Sequence, residues 1–82
     1  MIRSNFQTLR RRKAAEEDRN LPLRTIADET GLALSTIHRV SHDKLDHLNL
    51  TTLNALCRYF KVRSISELVE YVPDEDGKAG QV

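Results

Sequence analysis

One cysteine, Cys57, cannot form an internal disulfide, and a chain with a lone free thiol reads as an intracellular protein. Three glycines and two prolines are too few for a collagen-like or disordered chain, and no glycine-rich run is present to cradle a phosphate. No apolar stretch approaches the roughly 20 residues needed to cross a bilayer. The opening Met1-Ile2-Arg3-Ser4-Asn5 lacks the apolar segment of a signal peptide. The expected location is cytoplasmic or nucleoid-associated, with no membrane partner. A chain of 82 residues has room for one small domain and not for a two-lobed enzyme. Its 39% hydrophobic and 30% charged residues suit a compact, mostly helical domain, at a size where a subunit or partner contact can supply part of the stability.

A strong excess of either charge is also missing, since the net charge is +1, but the charges are unevenly placed. Residues 1–24 carry a net +4, 25–57 a net −2, 58–63 a net +3 and 64–82 a net −4. Two basic segments meeting on one face would attract a polyanion while the acidic end points elsewhere. The same pattern also describes an ordinary solvated surface, so charge alone leaves both readings open.

Apolar spacing predicts a string of short helices. The first begins at Ser4 or Asn5, either of which can cap it, and places Ile2, Phe6, Leu9 and the stem of Lys13 on one stripe. Arg12 with Glu16, and Lys13 with Glu17, are pairs four apart that explain the basic run without a ligand. Pro22 should open a second helix running to Thr30, with Leu23, Ile26 and Ala27 inward and Gly31 as its stop. A third fits residues 34–41, with Ile37 and Val40 as its inward pair. A fourth, capped by Asn49 or Thr51, carries Leu50, Leu53, Leu56, Cys57 and Phe60. A fifth is expected from Ser64 or Ser66 through Tyr71, closed by Pro73, with the small polar residues 74–82 as a frayed tail. The expected core is Phe6, Leu9, Leu21, Ile26, Ala27, Leu32, Ile37, Val40, Leu53, Leu56, Phe60 and Leu68, and a short pairing of the chain ends near Ile2 and Val72 is the most plausible addition.

The central stretch, Leu23-Arg24-Thr25-Ile26-Ala27-Asp28-Glu29-Thr30-Gly31-Leu32-Ala33-Leu34-Ser35-Thr36-Ile37-His38-Arg39-Val40, has the layout of a helix-turn-helix. Ala27, Gly31, Leu32 and Ile37 fall where two such helices pack, and Leu53, Leu56 and Phe60 suit a following core helix. On these residues the chain resembles the Cro/C1-type family of bacterial and phage regulators, also called the xenobiotic-response-element type, over residues 2–73. Leu68-Val69-Glu70-Tyr71-Val72-Pro73 looks like the ending of its short stand-alone subgroup. The resemblance implies an all-α, five-helix, lambda-repressor-like domain over residues 1–73.

It also implies a site. The outward positions of the third helix become Ala33, Leu34, Ser35, Thr36, His38 and Arg39. Arg39 can donate in fork fashion to guanine O6 and N7, Ser35 and His38 suit base edges, and Leu34 or Ala33 can meet a thymine methyl group. Thr36, Lys44, Arg24 and the run Arg10, Arg11, Arg12 and Lys13 become phosphate contacts. Three departures stand out. Ala33 occupies a position that is often a capping serine or threonine, Leu23 replaces a polar residue, and His42-Asp43 stands where Asn-Gly is common. Asp43 can form the turn but brings negative charge toward DNA.

Catalytic readings have less support. Ser35, His38 and Asp28 include the residue types of a nucleophilic triad, but no strand-turn-helix elbow accompanies them. His38 and His42 are four apart without the glutamate of a His-Glu-x-x-His motif, so neither metal nor other cofactor is expected. Cys57 lies in an apolar stripe and reads as a small buried hydrophobe. The expectation is a transcriptional regulator, repressor-like, that binds double-stranded DNA as a homodimer and performs no chemistry. The alternative is an antitoxin-like module that binds a second protein and whose basic face is incidental.

Overall fold

The computed structural model describes residues 1–73, so the tail expected at 74–82 lies outside the described residues. Strand β1 (Ile2–Ser4) leads into α1 (Phe6–Glu17), α2 (Leu23–Thr30), α3 (Leu34–Ser41) and α4 (Leu50–Phe60), and a 3-10 turn (Ile65–Glu67) precedes strand β2 (Val69–Tyr71).

The punctuation follows backbone chemistry. Ser4 Oγ accepts from the Phe6 N–H at 3.2 Å at the start of α1. Asn5 holds the cap position, but its side chain donates to Glu67 O at 3.3 Å and does not cap the helix. Pro22 adopts an extended conformation ahead of α2, and its carbonyl accepts from Ile26 N. Gly31 ends that helix at φ +77°, and a Cβ there would meet no heavy atom within 4 Å. Glycine is therefore favoured at 31 by the left-handed conformation and not by crowding. Asn49 Oδ1 accepts from Thr52 N at 2.8 Å, the side-chain cap expected for α4.

Ten apolar side chains form the buried core: Phe6, Leu9, Leu21, Ile26, Ala27, Ile37, Val40, Leu56, Phe60 and Leu68. Leu32 and Leu53, also expected there, are half-buried and pack against its edge. The rings of Phe6 and Phe60 meet edge to face, with centroids 5.5 Å apart.

The five-helix, all-α expectation is wrong at its last element. Residues 64–71 form one 3-10 turn and then a strand, so the described chain has four α-helices and a two-stranded sheet. The reason is physical. Eight residues between a serine cap and a proline give a helix few bonds to offset its nucleation cost. Val69 and Tyr71 are β-branched and aromatic, types that suit a pleated surface. The turn is closed by Glu67 N to Ser64 O and Leu68 N to Ile65 O, both at 3.0 Å. β2 then runs antiparallel to β1, with Ile2 opposite Tyr71, Arg3 opposite Glu70 and Ser4 opposite Val69. Met1 and Val72 exchange backbone bonds at one end, and Asn5 N donates to Leu68 O at 2.7 Å at the other. The chain ends thus pair as the sequence suggested, and Leu68 is fully buried beneath them.

Candidate nucleic-acid interface

Helices α2 and α3 pack directly on each other across the turn at Gly31. Ile26 and Ala27 of α2 and Ile37 and Val40 of α3 are buried, which fixes both the axial position and the rotation of α3. With 3.6 residues per turn the opposite side of the helix must then face outward. Leu34, Ser35, His38 and Arg39 are exposed, as is Ala33 just before them, while Thr36 is half-buried at the edge. Four of the five candidate base readers therefore share the free side of one short helix, and the fifth, Ala33, is exposed at its extended cap position. No side chain caps the first turn of α3, where Ala33 O accepts from Thr36 N and Ile37 N.

The far end of α3 is tightly wound. His42 N and Lys44 N both donate to Arg39 O, Asp43 N donates to Val40 O, and Asp43 takes φ +60°. The rings of His38 and His42 stack with centroids 4.3 Å apart, and His42 Nδ1 lies 2.9 Å from His38 O. His42 thus continues the outward row. The sequence reading noted its spacing of four from His38 only as a metal-binding pattern and did not place it among the site residues. Beside this row lies a groove of about 510 Å³ lined by Thr36, Arg39, Lys44, His47, Asn49 and Thr52, with Asp43 and Asp46 also on its wall.

The basic candidates separate into two groups. Arg11, Arg12, Arg24 and Lys44 are exposed. Arg10 is half-buried, donating from Nε to Leu21 O at 2.6 Å and from Nη1 to Gln7 Oε1 at 2.8 Å, so it ties α1 to the loop before α2. Lys13 is buried, 4.6 Å above the Tyr59 ring, with its ammonium 2.7 Å from Glu17 Oε2. Its methylene stem belongs to the apolar stripe, as its spacing suggested.

A polar network ties α2 to the end of α1 and to α4. Arg19 donates through both terminal nitrogens to the two oxygens of Glu29 on α2, at 2.7 and 2.8 Å, and through Nε to Glu17. Tyr59 of α4 donates its hydroxyl to Glu29 Oε1 at 2.6 Å. The Arg19 and Tyr59 donors together hold the Glu29 carboxyl down to about 2. Burial, and then the hydrogen bond to Glu29, push the Tyr59 phenol upward. The Glu29 contribution to stability is present above its unfolded value of 4.5 and is lost as pH falls through about 2. The Tyr59 contribution is present below its ordinary value of 10.0 and declines as pH rises past it. Glu29→Gln is therefore expected to melt below wild type at pH 7 and to converge with it between pH 4.5 and 2. Thermal melts across that range check this, and an offset of the same size at pH 2 would contradict it.

Cys57 is half-buried on α4, and burial raises its thiol pKa, with the charge of Glu67 a second cause, so the reactive thiolate is disfavoured. Among the described residues no group of three or more His, Cys, Asp or Glu side chains is placed to hold a metal ion. Among them, too, no helix is long and apolar enough to cross a membrane.

Two helices locked across a left-handed glycine, with the second presenting a polar and basic outer side, define a helix-turn-helix. The chain belongs to the Cro/C1-type helix-turn-helix DNA-binding domain family, whose model matches residues 13–74. No curated protein and no solved structure gives a significant match. Membership is consistent with sequence-specific DNA binding by a domain that is not catalytic.

Proposed function

We propose that the protein is a sequence-specific, repressor-like transcriptional regulator that reads the major groove of duplex DNA with α3 and acts by occupying its site. The observation that carries this reading is the division of α3 into a buried pair, Ile37 and Val40, and an exposed row of Leu34, Ser35, His38 and Arg39. A helix about 10 Å across fits the major groove, where base pairs present distinct donor and acceptor patterns. Arg39 is the principal base reader in this assignment. Ser35 and His38 meet base edges, and Leu34 and Ala33 meet apolar thymine surface. Thr36, Lys44, Arg24, Arg11 and Arg12 lie along the phosphates. Arg10, engaged with Leu21 O and Gln7, contributes field more than contact, and Lys13, buried and paired with Glu17, contributes little of either.

A homodimer on DNA belongs to the same reading, since one recognition helix covers only a few base pairs and a two-fold pair makes a palindromic site. Ile2 and Tyr71, cross-strand neighbours that remain 51% and 67% exposed, offer apolar surface for such a contact.

The test is titration against a duplex selected from a random pool, over a salt series. Affinity for the selected duplex should fall log-linearly with salt, with two chains in the complex. Neutralising Arg11 or Arg12 should lower the slope by roughly one unit on any sequence. One chain on the optimal duplex would sink the dimer. No binding at low salt would overturn the DNA reading in favour of a protein-binding module.

A further inference from the structure

Ser4 joins three elements at one point. Its backbone N–H donates to Asp43 Oδ1 at 2.8 Å, and its hydroxyl donates to Val40 O at 2.9 Å while accepting from Phe6 N at 3.2 Å. It therefore links the end of β1 and the first turn of α1 to the last turn of α3, across 36 and 39 residues of sequence. Val40 follows Arg39 directly, and its carbonyl also accepts from Asp43 N, so both ties close on the turn that carries the exposed arginine. Asp43 and Arg39 line the same groove, where a released carboxylate would be within reach of the guanidinium. Ser4 gives the Asp43 Oδ1 a donor, and among the described residues no carboxylate pairs with Arg39. Ser4 also lies outside residues 13–74, the stretch that the family pattern covers.

We propose that Ser4 and Asp43 are positioning residues for DNA recognition: the tie from β1 fixes the C-terminal turn of α3 and keeps the Asp43 carboxylate away from Arg39. The negative charge after the recognition helix is then an anchor, with an acceptor in use. The proposal rests on the DNA-reading role of α3, and its test separates the two.

Asp43→Asn and Asp43→Gly both remove the charge and both tolerate the left-handed backbone, but only asparagine keeps an oxygen for the Ser4 N–H. Loss of one negative charge strengthens binding to selected and random duplexes alike in both variants. The ratio of the two affinities should remain at the wild-type value in Asp43→Asn and drop about five- to thirtyfold in Asp43→Gly, as expected for a loss of the size of one or two hydrogen bonds. Ser4→Ala leaves all charges and the backbone N–H bond to Asp43 in place and removes only the hydroxyl's bonds, to Val40 O and from Phe6 N, so it should narrow the ratio in the same direction by a smaller factor. Binding is measured at a temperature where circular dichroism shows each variant fully folded, and if Asp43→Gly does not fold, Ser4→Ala still tests the hydroxyl tie from β1 to the last turn of α3. Equal ratios for the asparagine and glycine variants would overturn the Asp43 anchor, and a wild-type ratio in Ser4→Ala would overturn the hydroxyl tie to Val40, in each case while wild type still discriminates. Wild type that binds no duplex overturns the DNA reading itself.

Discussion

Replacing Phe6 with alanine is expected to destabilise the fold by about 3–5 kcal/mol, the usual cost of deleting a fully buried aromatic side chain. Phe6 has no exposed surface and meets Phe60 edge to face, so the loss combines apolar burial, an aromatic pair and the cavity left behind. A domain of this size has a total stability on the order of 4–12 kcal/mol, so the substitution should remove about a quarter of it or more. The comparison is Leu50→Ala, because Leu50 is 78% exposed and its truncation should change stability by less than about 0.5 kcal/mol. Urea denaturation of both variants, with the slope of the transition as a check on compactness, measures the difference. Similar midpoints for the two would mean that Phe6 does not sit at the centre of the core.

Most of the helical architecture was legible because it is written in local spacing. Ile37 and Val40, three apart, define the inner side of α3, and that in turn dictates which residues face out. Gly31 and Asn49 act through the conformation and side-chain chemistry of single residues, and those signals are also local. The final segment was misread because the choice between a fifth helix and a strand depends on a partner near residue 3. Val69 and Tyr71 carry a strand preference, but three residues are too short a run for alternation to outweigh the helix reading without that partner. The brace between Arg19, Glu29 and Tyr59 was hidden for the same reason, since Glu29 and Tyr59 are 30 residues apart. Within the basic run the sequence supplied charge but not direction. Lys13 turned inward because its place in the stripe of Phe6 and Leu9 buries its stem and Glu17 neutralises its head. Arg11 and Arg12 fall off that stripe and remain exposed.

Replacing Arg39 with alanine is expected to cost about 1–3 kcal/mol on the preferred duplex and much less on random DNA, which narrows the ratio between them. The asymmetry follows from what each contact can sense. A guanidinium in the major groove donates two parallel bonds to one guanine, and a wrong base removes them. A phosphate contact is made equally on any sequence, so its loss weakens both complexes and lowers the salt slope. Arg39 is exposed and makes no ion pair among the described residues, which leaves its fork available to a ligand. Its backbone carbonyl is held by His42 N and Lys44 N, so the alanine variant keeps the helix end and should melt close to wild type. Arg12→Ala is the matched control, being equally charged and exposed on α1. A salt series with both variants on both duplexes resolves the two effects. Equal losses on preferred and random DNA for Arg39→Ala would remove it from the base-reading set and leave the discrimination to Ser35 and His38.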